Sequence, residues 1–261
     1  MLGAVAGDII GSQYEFDHSQ TYNFELLNDE SFFTDDTVMT LAVARWLMES
    51  SLTSEELVIS MKELGRRYPY AGYGSGFTNW IWSENPMPYN SYGNGSAMRV
   101  SPVGLYARDL NEALELAYIT AAVSHNHPEG IKGAQATAAA VYMAKTGYSK
   151  MQIREIITAM FGYKLNTTIE EIRPSYRWSG SCQGSVPEAF VAFLDAKDFE
   201  DCVRLVVSLR GDADTQAAIA GSIAGCVYPI PEEIALKCEK CLSQDLLQIM
   251  KDFEKFVKSG K

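Results

Sequence analysis

Apolar residues recur along most of the chain with the 3.6-residue period of an amphipathic helix, and strand-like alternation never extends beyond four residues. Residues 36–48 show the pattern: positions 38, 39, 41, 42, 43, 46 and 47 are apolar, and Thr34 stands ahead of them as a candidate N-cap. The same spacing predicts helices over 3–12, 54–67, 97–108, 112–124, 129–145, 150–163, 186–194, 199–209, 216–228, 231–242 and 244–258, with a short one over 76–82. Thr53 and Glu56 have the spacing of a capping box ahead of 54–67. Glycines 3, 7 and 11 share one helical face, and so do Gly221 and Gly225, so each face admits another helix at short range. The expected fold is all-α, one compact domain over residues 1–261, with no repeat or linker.

Three stretches break the period. Residues 16–33 are polar and aromatic, long enough to act as a lid. Residues 68–92 are rich in Tyr, Trp, Gly, Pro and Asn, whose rings could stack on a base but more commonly cap a core. Residues 165–184 hold Arg173, Tyr176, Arg177 and Trp178.

Composition narrows the function classes only moderately. With 261 residues and 47% apolar content, the chain can bury about three quarters of its unfolded surface. A formal net charge of -11 argues against nucleic acid as an unaided partner, although an anion can still be held by backbone N–H groups or by metal ions. No run approaches the ~18 apolar residues of a membrane span, and the N-terminus meets Asp8 too early for a signal peptide. Five cysteines, an odd number, suit a reducing compartment, so a cytoplasmic location is expected. Cys238 and Cys241 form a lone C-x-x-C with no second pair, which does not make a zinc site.

The candidate chemistry lies in two acid clusters. Asp212 and Asp214, followed by Thr215, open the helix predicted from 216; Thr34, Asp35, Asp36 and Thr37 open the one predicted from 36. With no Lys or Arg among them, converging carboxylates would repel one another, and a divalent metal removes that conflict. Acids in a first helical turn also suit the helix dipole, which is the plainer explanation of Asp35 and Asp36. Asp8 and Glu15, taken singly, read as surface carboxylates. Residues 90–99 alternate glycine with small polar residues ahead of a helix, as a phosphate cradle requires, yet lack the lysine of a P-loop. His125 and His127, in a loop before Pro128, read as hydrogen-bonding or packing residues rather than ligands of a metal held by oxygens.

Taken in order, Gly7-Asp8-x-x-Gly11-x-x-x-Glu15, Thr34-Asp35-Asp36-Thr37, Gly93-Asn94-Gly95-Ser96-Ala97-Met98-Arg99, His125-x-x-Pro128 and Gly211-Asp212-x-Asp214-Thr215 resemble the signature set of the ADP-ribosylglycohydrolase family. The resemblance implies a compact, orthogonal all-α bundle with two Mg²⁺ or Mn²⁺ ions held by Thr34, Asp35, Asp36, Asp212, Asp214 and Thr215. It places the ADP-ribose diphosphate near Ser91, Tyr92, Gly93, Asn94, Gly95 and Ser96, puts His125 close to the ligand, and sets Glu15 on a flap over the metals. Glu15 or Asp36 would handle the proton. The implied substrate is an ADP-ribosylated protein or a small-molecule ADP-ribose conjugate, and the acceptor stays open among arginine, serine, a nucleic-acid end and a small ester. Family members commonly carry glycine where this chain has Arg210. A two-metal phosphoesterase and a non-catalytic scaffold are the rival readings.

Overall fold

In a computed structural model that describes residues 1–16 and 21–259, every regular element is a helix among the described residues. In chain order these are α1 (Leu2–Gly11), α2 (Asp35–Leu47), α3 (Ser54–Arg67), α4 (Ser75–Trp82), α5 (Gly95–Met98), α6 (Ser101–Tyr106), α7 (Leu110–Ala122), α8 (Pro128–Lys145), α9 (Lys150–Phe161), α10 (Ile169–Ile172), α11 (Cys182–Asp195), α12 (Phe199–Val207), α13 (Ala213–Val227), α14 (Glu232–Cys241) and α15 (Gln244–Lys258). None of them is long and apolar enough to cross a membrane.

The closest pairing is α1 against α13, and small residues explain it. A Cβ added at Gly7 would overlap the Ala217 carbonyl, one at Gly11 the Ala213 carbonyl, and one at Gly3 the Gly221 carbonyl. The two backbones therefore touch, and the N-terminal end of α13 is held against the C-terminal end of α1. Helix α2 is buried over Asp36–Leu47 except at the half-buried Arg45, because α1, α3, α6 and α15 cover it. Trp46, Phe193, Phe199 and Phe253 are among the largest fully buried side chains of the continuous apolar core. The Ala-rich α8 sits among α5, α6, α7, α9, α11 and α13, where its small side chains let six neighbours approach.

The element boundaries move where proline and the acid clusters lie. The helix predicted over 97–108 is two short ones, because Pro102 cannot donate a backbone hydrogen bond and starts α6 afresh. Helix α11 begins at Cys182, ahead of the predicted 186, and carries Pro187 within it. Helix α13 begins at Ala213 and so takes Asp214 and Thr215 into its first turn. The proposed lid over 16–33 contains residues 17–20, which lie outside the described residues. Beyond them, the stretch is anchored by Tyr22, whose hydroxyl donates to Asp201, and by Arg204, which donates to the Phe24 carbonyl at 2.7 Å.

Candidate active site and metal centre

The α1–α13 contact brings the two acid clusters together. The Thr215 hydroxyl donates to Asp36 Oδ2 at 3.1 Å, bridging the start of α13 to the start of α2. Asp36, Asp214 and Asp8 each bring a carboxylate oxygen within 4.8 Å of the others, and Glu15, Asp212 and Asp214 form a second such group that shares Asp214. Asp36 Oδ1 is buried with no hydrogen-bond partner among the described residues. Hard oxygen donors, two groups of three carboxylates and an orphaned carboxylate oxygen fit small divalent cations.

Electrostatics points the same way. Burial pushes the Asp35, Asp36 and Asp214 carboxyls well above the usual carboxylate range, and the neighbouring acids add to it. Asp212 is raised by burial, against hydrogen bonds from Asp214 and Asn94 that work the other way. Glu15 is pushed up to about 7, first by burial and then by Asp214 and Asp8. Six acids this close cannot all ionise without a counter-charge.

Asp8 departs from the surface carboxylate its sequence context suggests. It is fully buried on α1, where Oδ1 accepts from the Thr34 hydroxyl at 2.7 Å, and Oδ2 accepts from the backbone N–H of Thr34 at 3.0 Å, that of Thr37 at 3.1 Å, and the Thr37 hydroxyl. Four donors occupy most of its lone-pair sites, so it braces the first turn of α2 and thereby aims Asp35 and Asp36. An ionisable residue in the otherwise apolar Leu2–Gly11 helix is the sequence signal by which this role was open to discovery.

The acids line a cavity of about 560 Å³, within the range of small-ligand sites. Among the residues predicted to bind substrate, Ser91, Gly93, Asn94, Gly95 and His125 line it; Tyr92 and Ser96 do not. Tyr92 is exposed and meets His127 edge to face, while the Ser96 hydroxyl is buried and donates to the Gly130 carbonyl at 2.7 Å. Asn94 turns its amide inward, to Asp212 Oδ2 at 2.7 Å and Ser185 Oγ at 3.1 Å, so it ties the glycine loop to the metal-binding acids. Backbone pairing between Gly93 and Ser181 holds the loop against the 179–182 segment. His127 accepts from the Glu129 N–H at 3.1 Å and caps α8.

Sequence reasoning did not single out Phe77 or Trp178 as site residues, yet both line the cavity, Trp178 beside Gly180 and near Asp212. Trp178 and Phe16 come from the two irregular stretches that carried no motif. Among the described residues that line the cavity, Arg99 is the only Lys or Arg, and it is completely buried. Arg210 adopts φ 60, in the left-handed region that glycine enters at little cost. A wider groove of about 990 Å³ between α3 and α7 mixes apolar residues such as Ile59 and Met87 with charged ones such as Glu55, Lys62 and Arg66, and holds none of the residues of the two carboxylate groups.

Among the described residues, an all-helical scaffold in which α1 and α13 support a carboxylate pocket beside a glycine loop defines the class: an all-α protein with an acidic centre suited to divalent cations. The chain belongs to the ADP-ribosylglycohydrolase family, whose model matches residues 1–260. It is similar to human ADP-ribosylhydrolase ARH3, 24% identical with 95% of this chain and 90% of that protein covered. It is also similar to the ADP-ribosylarginine hydrolase Tri1 of Pseudomonas putida (strain GB-1), 23% identical with 88% of this chain and 70% of that protein covered. A solved structure, an ADP-ribosylglycohydrolase-related protein complex, matches with a TM-score of 0.74 at 23% identity, over 98% of this chain and 95% of that one, so the fold is shared.

Proposed function

We propose that this protein hydrolyses the glycosidic bond between ADP-ribose and an acceptor on a protein or small molecule, with two divalent cations at the acid centre. The observation that carries the reading is the meeting of Asp36, Asp212, Asp214 and Thr215 at the floor of one cavity with Asp36 Oδ1 left unpaired. Family membership and the activities named for ARH3 and Tri1 support the substrate class.

Thr34, Asp35, Asp36, Asp212, Asp214 and Thr215 would hold the ions. Bound Mg²⁺ or Mn²⁺ would supply charge that fixes ribose hydroxyls and lowers the pKa of water. The chain's own residues do the rest. Asp8 holds Thr34 and the first turn of α2 in register. Glu15, half-buried at the rim of the cavity, is the residue that exchanges a proton; Asp36, buried at the floor and accepting from Thr215, serves as a ligand. Water oxygen joins the anomeric carbon of the distal ribose, the bond from that carbon to the acceptor breaks, and the proton released by water reaches the departing acceptor atom through Glu15.

A panel of ADP-ribosylated proteins and small conjugates tests this. Free ADP-ribose should appear, a chelator should stop its release, and Asp214→Asn should lower the rate by more than about 100-fold while the fold persists. Release of inorganic phosphate or ribose phosphate in its place would mark a phosphoesterase, and chelator-insensitive inertness a scaffold.

A further inference from the structure

Arg99 is a costly residue to place where it is: a guanidinium with no exposed surface, its Nε without a partner, and the Phe77 ring 5.5 Å from its carbon centre. Its Nη2 donates to the Thr120 carbonyl at 2.7 Å and to Ser124 Oγ at 2.9 Å, and Ser124 Oγ lies 2.8 Å from His125 Nδ1. Donor bookkeeping along this line has one solution that gives the Ser124 hydroxyl hydrogen an acceptor, since none besides Nδ1 stands within reach of it among the described residues. Arginine can only donate, so Ser124 Oγ accepts. The single Ser124 hydroxyl hydrogen then points to Nδ1, which must be the bare nitrogen, and Nε2 carries the hydrogen.

That Nε2–H faces the glycine loop. Cβ atoms built on Gly95 and Gly93 would stand 3.3 and 3.5 Å from it, so the two glycines leave the space in front of it clear. The backbone holding the ring is fixed as well: the His125 N–H donates to Ala121 at 2.7 Å, and the Ser124 carbonyl accepts from Tyr89 at 3.1 Å.

We propose that Arg99 and Ser124 are positioning residues that lock His125 as a neutral Nε2–H donor aimed into the cavity. The use of ADP-ribose as the probe of the lock rests on the reading given under the proposed function; the tautomer does not. Burial and the adjacent Arg99 keep His125 well below its usual pKa, while Arg99, lowered only to about 10, stays charged at neutral pH. The ring therefore offers one hydrogen from a fixed nitrogen.

The imidazole nitrogens can be read directly by long-range ¹H–¹⁵N correlation on the full chain with Mg²⁺ at neutral pH, the His125 signals being assigned by their loss in His125→Asn. The expected result is a single neutral Nε2–H tautomer whose signals shift on titration with ADP-ribose. In Ser124→Ala the two tautomers should mix and ADP-ribose should bind about 10-fold more weakly, the loss of one hydrogen bond to a charged group. A wild-type ring found as Nδ1–H or as imidazolium overturns the proposal, as does a Ser124→Ala ring that stays purely Nε2–H. If Ser124→Ala does not fold, the wild-type tautomer decides the question. An Nε2–H ring in a protein that binds no ADP-ribose overturns the proposed function and leaves the lock standing.

Discussion

At residue scale, Arg210 separates what a site needs from what its backbone tolerates. Its φ of 60 lies where a side chain costs roughly 1–2 kcal/mol and glycine costs little. Two residues later comes Asp212, so the strained turn delivers that carboxylate to the cavity. Arg210→Gly should therefore be more stable than Arg210→Ala by about 1 kcal/mol, since alanine keeps the strain and loses the side chain. Chemical denaturation of the two variants measures this; equal stabilities would show that the left-handed turn carries no strain. Asp8 is the opposite case, a residue without strain whose four hydrogen bonds do their work at a distance through Thr34 and Thr37.

At the scale of elements, the site exists because α1 and α13 meet backbone to backbone. Glycines 3, 7 and 11 and residues Ala213, Ala217 and Gly221 form that seam, and the period-four spacing of the small residues was visible in the sequence. A methyl group at position 7 has no side chain to push aside, only the Ala217 backbone. Gly7→Ala should force the helices apart, costing about 3 kcal/mol, near the top of the overpacking range, and should also weaken Mn²⁺ binding because Asp214 and Asp36 separate. Melting temperature and metal titration read the two effects. Unchanged metal affinity in a destabilised Gly7→Ala protein would mean that the seam supports the core and not the centre. Element boundaries were less legible than element types: Pro102 splits the helix predicted over 97–108, and α11 and α13 start ahead of the apolar spacing that predicted them.

For the whole molecule, the buried acids link stability to pH and to cations. Asp35, Asp36 and Asp214 are raised well above their usual range and Glu15 is raised to about 7. An acid whose pKa is raised by folding contributes stability that is fully present below the unfolded value, about 4, and is lost as pH rises through the folded one. The cation-free protein should thus lose melting temperature between about pH 4 and pH 7, in the sense opposite to acid denaturation. Added Mg²⁺ or Mn²⁺ should restore it, with an increment that grows as pH rises and the carboxylates ionise. Scanning calorimetry across that range with and without the ion tests the linkage; a pH-independent cation increment would remove the acid centre as its origin.

The helical class, the family resemblance and the two acid clusters all follow from the sequence, because period, capping and spacing are local properties that a few neighbouring residues express. Fold and family carry over to the structure and the comparisons. Only the tertiary structure placed Asp8 under Thr34, turned Asn94 toward Asp212, and lined Arg99, Ser124 and His125 into one chain of donors. Each of these joins positions far apart in the sequence or sets the direction of a buried hydrogen bond. Which partner wins there is decided by the close approach of whole helices and by the cost of leaving any polar group unpaired once water is excluded.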